Sequence, residues 1–181
     1  MKQIFKNIIL RDNTNLVISQ PMPDKASDIV NFLNMVGGET DFLTYGKNEF
    51  PFSVDEEKKI ISECLKSDFC LMLVAAIEDE IVSQLLLQRS SWPRLAHVGE
   101  IGISVSKKHW GKSIGRHMVL TALEWAKQKD IAKLQLQVRS DNERAVILYE
   151  SLGFKIEGLL SRAMKINDNY FDDYVMGLVL E

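Results

Sequence analysis

A chain of 181 residues, 46% hydrophobic and 26% charged, has the make-up of one soluble domain large enough to bury most of its unfolded surface, which argues against a disordered or membrane-embedded class. A formal charge of −3 offers no basic field for a polyphosphate backbone, so nucleic acid is not expected as a partner and a cationic ligand is favoured. No apolar run approaches the roughly 18 residues needed to cross a bilayer, and Arg11-Asp12 ends the N-terminal apolar content before a secretory signal could form. We therefore expect a cytoplasmic protein with no membrane partner and one domain over residues 1–181.

Residues 16–20 read as a first strand, preceded by a hairpin arm around Asp12-Asn13. A helix is expected from Asp24, carrying Ile29, Phe32, Leu33 and Val36 and stopping at Gly37-Gly38. Ser53 and Glu56 form a capping-box pattern ahead of Ile60, Ile61, Cys64 and Leu65, which predicts a second helix to about Lys66. Between the helices, residues 39–52 are rich in aromatics and acids. Cys64 and Cys70, with no second pair and no histidine at ligand spacing, indicate neither a disulfide framework nor a metal site, and are expected as reduced structural thiols.

Residues 70–77 and 81–88 are apolar runs joined by Glu78-Asp79-Glu80, an antiparallel hairpin. Residues 97–105 alternate as a further strand, with Ile101, Ile103 and Val105 on one face and Glu100, Gly102 and Ser104 on the other. From Ile114 to Lys129 the period becomes helical. His117, Thr121, Glu124 and Gln128 form its polar face, while Met118, Val119, Ala122, Trp125 and Ala126 face the core. Residues 133–138 form a short strand and residues 142–152 a helix stopped by Gly153. Two closing strands, about 154–166 and 174–180, meet through a turn at Asn167-Asp168-Asn169. The order is that of an α/β (α+β mixed) fold: a central mixed, mostly antiparallel sheet of about seven strands flanked by about four helices.

The most informative stretch is a strand running through Trp110-Gly111-Lys112-Ser113-Ile114-Gly115 straight into a long helix. A helix N-terminus carries about half a positive charge and several unpaired N–H groups, which suits it to a pyrophosphate. Gly111-Lys112-Ser113 looks like the end of a Walker A loop, but the earlier glycine that motif requires would fall at Ser106, and G-x-G-x-x-G is absent.

The second half of the pattern is Asn142, Ala145, Tyr149, Gly153 and Phe154, an N-x-x-A-x-x-x-Y segment followed closely by G-F. With it, the chain from about Leu16 onward resembles the GNAT superfamily of N-acetyltransferases, nearest to the branch that includes ribosomal-protein and small-amine acetyltransferases. The resemblance implies acetyl-CoA as cofactor, with the backbone of Ile103, Ser104 and Val105 along its pantetheine arm. It also implies that Trp110, Gly111, Lys112, Ser113, Ile114, Gly115 and Arg116 surround the pyrophosphate, and that Asn142, Ala145 and Tyr149 lie beside the arm. Trp110 and Ser113 depart from the family's usual Q/R-x-x-G-x-G/A loop.

Acyl transfer from a thioester to an amine expels a thiolate, and a phenol can donate a proton to it, so Tyr149 is the candidate general acid. An alkylammonium near pKa ~10.4 is neutral in only about one molecule in ~2500 at pH 7, so a base is needed; Glu100, on the cofactor strand, is the candidate. The ordinary alternatives are a core tyrosine and a solvated strand carboxylate. Phe42, Tyr45, Asp41 and Glu49 in residues 39–52, with Tyr170, are candidates for the acceptor wall, the alternative for the loop being a cover over the core. Together these imply acetylation of a primary amine, on a small molecule or a peptide N-terminus, by direct attack and without a metal. The rival from another class is a noncatalytic CoA-binding sensor. The final strands also offer an edge through which two copies could pair as a homodimer.

Overall fold

The structure is a computed structural model that describes residues 4–180. Its strands are β1 (Ile4–Ile9), β2 (Asn15–Ser19), β3 (Cys70–Ile77), β4 (Glu80–Arg89), β5 (Val98–Val105), β6 (Lys133–Arg139), β7 (Lys155–Ile166) and β8 (Asn169–Val179). They form one sheet in the order β1-β2-β3-β4-β5-β6-β8-β7, antiparallel everywhere except between β5 and β6. The count is eight strands rather than about seven, because the hairpin arm before residue 16 pairs fully with β2 through a turn at Asp12 and Asn13.

Helices α1 (Ala26–Gly37) and α2 (Val54–Cys64) cover one face of the sheet; α3 (Ile114–Gln128) and α4 (Glu143–Ser151) cover the other. The stripe foreseen on α1 is the stripe that is buried: Ile29, Phe32, Leu33 and Val36 pack with Met72 and Val74. On the opposite face Met118, Val119, Ala122 and Ala126 of α3 pack against Leu71, Leu73, Leu85, Leu87, Leu134 and Leu136. The capping box forms as expected, with Ser53 Oγ accepting from the Glu56 N–H and the Glu56 carboxylate accepting from the Ser53 N–H at 2.8 Å.

Two expectations fail for local reasons. Thr121 is buried rather than on the polar face, because its hydroxyl donates to the His117 carbonyl one turn earlier at 2.8 Å and so leaves no unpaired polar atom inside. Cys64 and Cys70 are joined in a disulfide rather than free: the chain reverses between the end of α2 and the start of β3, bringing the two Cα atoms to 5.1 Å. The bridge closes a short loop, so chain entropy assigns it about 2 kcal/mol. Urea unfolding with and without dithiothreitol should differ by roughly that amount; a larger loss would mean that α2 depends on the bridge rather than on Ile61 and its neighbours.

Candidate functional site

The site begins with an interruption in the sheet. Strands β5 and β6 pair at only three positions, Val98 with Lys133, Gly99 with Leu134 and Glu100 with Gln135, although both strands continue beyond them. Past Glu100 each strand keeps only its outer neighbour, β4 for β5 and β8 for β6. A wedge-shaped parting therefore opens toward the C-terminal ends of the two parallel strands.

The direction of the β5 backbone within that parting follows from its hydrogen bonds. Ser106 N–H donates to the Val82 carbonyl on β4 at 3.0 Å, and the Ser104 carbonyl accepts from the Ser83 hydroxyl on the same strand at 2.7 Å. Antiparallel ladders alternate, so the backbone groups of Ile101, Ile103 and Val105 point the other way, into the parting. Buried backbone groups need partners, and this edge is one that an extended chain carrying amides can complete. The Val105 carbonyl already has a partner, the Trp110 indole N–H at 2.8 Å, so Trp110 closes the wide end. Its ring is covered by the Arg144 guanidinium at 4.9 Å.

Beside that end stands the N-terminus of α3. Gly111 (φ +81°) and Ser113 (φ +64°) both take the left-handed conformation, which curls residues 111–115 so that the chain enters the helix without a side-chain cap. The first turn holds no acid. A helix start of this kind, with Lys112 and Arg116 beside it, has the chemistry to accept an anion. Lys112 pairs with Asp12 of the β1–β2 turn at 2.8 Å, which holds the Asp12 carboxyl well below the usual carboxylate range, and Arg116 donates to Ser151 Oγ at 3.0 Å. Ile114 is buried in the core, and Gly115 lies so near Leu148 of α4 that a Cβ would approach it to 3.2 Å.

Asn142 is the N-cap of α4, its Oδ1 accepting from the Ala145 N–H at 3.3 Å, so the amide NH2 is the part left for a ligand. Tyr149 is buried against Phe154 in an edge-to-face contact of 5.7 Å, and loss of solvent pushes its hydroxyl up to about 12. That hydroxyl makes no hydrogen bond among the described residues. Glu100 is exposed at the last paired position of β5. Next along the same face, a Cβ on Gly102 would meet nothing within 4 Å, and Ser104 is buried with its hydroxyl unpartnered.

The acidic, aromatic loop after α1 lies over this same face and bridges the parting. Glu39 accepts from the Lys107 N–H beyond β5 at 2.7 Å, while the Asp41 carbonyl accepts from Arg139 at the end of β6 at 2.8 Å. The Arg139 guanidinium is pinned between Phe171 (3.7 Å) and Phe42 (4.9 Å) and paired with Asp141 at 2.6 Å. Tyr45 packs into the α1 core beside Phe50 at 5.4 Å, its hydroxyl pushed up to about 12 by burial and by Glu57. Glu49 turns back to accept from the Gly46 N–H at 2.8 Å. Tyr170 is exposed at the hairpin tip against Arg162 and Lys165. Of the loop candidates, Asp41 and Phe42 reach the parting, whereas Tyr45 and Glu49 brace the loop.

Arg139, Phe171 and Asp173 were not singled out from the sequence. The available signal was the alternation of Gln135, Gln137 and Arg139 on one face of β6; Asp173 fell one residue before the expected start of the last strand, which begins at Asn169.

Residues 39–154 match the model of the acetyltransferase (GNAT) family. The L-amino acid N-acetyltransferase of Escherichia coli (strain K12) is 30% identical across 59% of this chain and 67% of its own length. An acetyltransferase of the GNAT family from Streptococcus pneumoniae superposes with a TM-score of 0.88 at 30% identity, covering 92% of this chain and 99% of that one. A putative acetyltransferase from Salmonella typhimurium, whose structure includes its cofactor acetyl-CoA, shares the fold at a TM-score of 0.81 and 16% identity, covering 93% and 95%.

The loop conformation gives a contrast that thermal unfolding can measure. Gly111→Ala is expected to cost about 1–2 kcal/mol although its Cβ would touch nothing, because the whole cost is backbone conformation. Ser113→Gly should leave stability unchanged or raise it by up to about 1 kcal/mol.

Proposed function

The chain belongs to the GNAT family of acetyltransferases, and we propose that it moves the acetyl group of acetyl-CoA to a primary amine by direct attack. The observation that carries the reading is the three-residue pairing of β5 with β6, which leaves the Ile103 and Val105 backbone facing an open wedge beside the α3 N-terminus. The residues present suit that ligand: the edge of β5 would pair with the amides of the pantetheine arm, and the N–H groups of residues 111–115 would hold the pyrophosphate. Asn142 would donate its amide hydrogens to the arm, with Ala145 leaving room. Trp110 would move from the Val105 carbonyl where the arm takes that position.

In the reaction the amine nitrogen forms a bond to the thioester carbon, and the oxyanion is received by the Ile103 N–H, a fixed donor of a kind that contributes ~2.7–4 kcal/mol. Collapse breaks the C–S bond. Glu100 takes the proton that the attacking nitrogen loses as the N–C bond forms, the amine itself entering as the small neutral fraction present at pH 7. Tyr149 donates to the departing sulfur. Burial makes Tyr149 a weaker acid than a solvated thiol, but the same burial makes the thiolate a stronger base, so the proton crosses as the C–S bond breaks.

We also take residues 1–181 as one domain acting in the cytoplasm. β7 is one of the two edges of the sheet, with Ile156, Leu159 and Leu160 exposed, and is where two copies would pair.

Tyr149→Phe should lower kcat by at least ~10-fold, within the ~10²–10⁴-fold range of a positioned acid, with little change in acetyl-CoA affinity. Free-thiol release in the presence of an amine panel measures it, and CoA binding with no turnover on any amine would favour the sensor instead. Because the Tyr149 hydroxyl lies at about 12, kcat/KM should rise with pH as the amine and base lose protons, with no fall below about pH 10. A descending limb between pH 8 and 9 would remove Tyr149 as the donor.

A further inference from the structure

On the face of the sheet under the Glu39–Asp41 bridge, two buried side-chain oxygens have no hydrogen-bond partner among the described residues: Ser104 Oγ on β5 and Asp173 Oδ1 on β8. Asp173 is 9% exposed and stands directly opposite Arg139 in the β6–β8 ladder. Ser104 thus lines the parting on the β5 side, while Asp173 lies one strand behind its β6 side. Arg139 makes no hydrogen bond to Asp173, because its guanidinium is committed to Asp141 and the Asp41 carbonyl and is held between Phe42 and Phe171.

The charges that bear on Asp173 come from β6, from the turn after it and from β8 itself: Arg139, Asp141 and Asp172. With Asp173 they make three carboxylates against one guanidinium, a net of −2. Desolvation is the largest influence on the Asp173 carboxyl and raises its pKa, as expected where one oxygen is shut away from water without a partner. β8 lies two strand spacings from β5, about 10 Å before the strands diverge. Asp173 is thus beyond reach of a nitrogen attacking a thioester at Ile103, but within reach of the far end of a longer acceptor.

We propose that Asp173 anchors a second positive charge on the acceptor, so that the preferred substrates are primary amines bearing a cationic group several bonds from the reacting nitrogen. This rests on the acetyl-transfer reading above and narrows it to a substrate class. Ser104, on the near wall, would accept from or donate to the body of the same acceptor.

The test is calorimetric titration of the CoA-loaded protein with cadaverine, n-pentylamine and δ-aminovalerate, amines of one chain length ending in ammonium, methyl and carboxylate. The wild-type protein should bind cadaverine at least ~10-fold more tightly than n-pentylamine, and δ-aminovalerate least. Asp173→Asn should lose that preference while keeping its affinity for n-pentylamine, and Asp173→Glu should retain part of it. Equal affinity of the wild-type protein for cadaverine and n-pentylamine overturns the proposal whether or not the variants fold, as does a preference that survives in Asp173→Asn. Tight cadaverine binding without acetylation would instead leave Asp173 as the anchor and sink the transfer reaction.

Discussion

Two adjacent parallel strands that pair at only three positions impose the constraint around which this protein is arranged. Backbone N–H and C=O groups left on the inner edges of β5 and β6 each need a partner, and an unsatisfied buried group costs about 1–3 kcal/mol. The chain meets part of that demand itself. Trp110 occupies the Val105 carbonyl, and the loop after α1 ties the two strands together through Lys107 and Arg139. What remains open is the stretch around Ile103, and a ligand with amides along an extended chain fits that opening as a strand would.

The departures from the family's usual phosphate loop acquire a meaning in this setting. Ser113 keeps the left-handed geometry that glycine would adopt more readily, so the amides still converge at the helix end. Trp110 replaces a polar side chain with one that stacks under Arg144 and spans back to β5. The loop is thereby tied to the strand it follows.

Elements governed by local chemistry could be read directly from the sequence. The capping box at Ser53, the buried stripe of α1, the left-handed stop at Gly153 and the alternation along β5 all depend on residues within one or two turns of each other. Tyr149 and residues 111–115 are singled out by a motif that is local too, and the structure sets them in the core and at the start of α3. The features that stayed hidden are products of distant pairing. Arg139 meets Phe42 and Asp41 from almost a hundred residues away, and Asp173 becomes notable only when the β6–β8 register sets it beside a guanidinium that is already engaged. Thr121 and the Cys64–Cys70 pair show the same limit at short range, since each depends on a geometry that residue type alone leaves undetermined.

The central claim is that the parting between β5 and β6 and the N-terminus of α3 together receive coenzyme A. Titrating 15N-labelled protein with CoA and following backbone amide resonances tests this most directly. The account predicts that the amides of Ile103, Val105 and residues 111–115 move together and saturate together, with the Trp110 indole N–H among them. Saturable shifts confined to other surfaces, or no shifts at all, would contradict it.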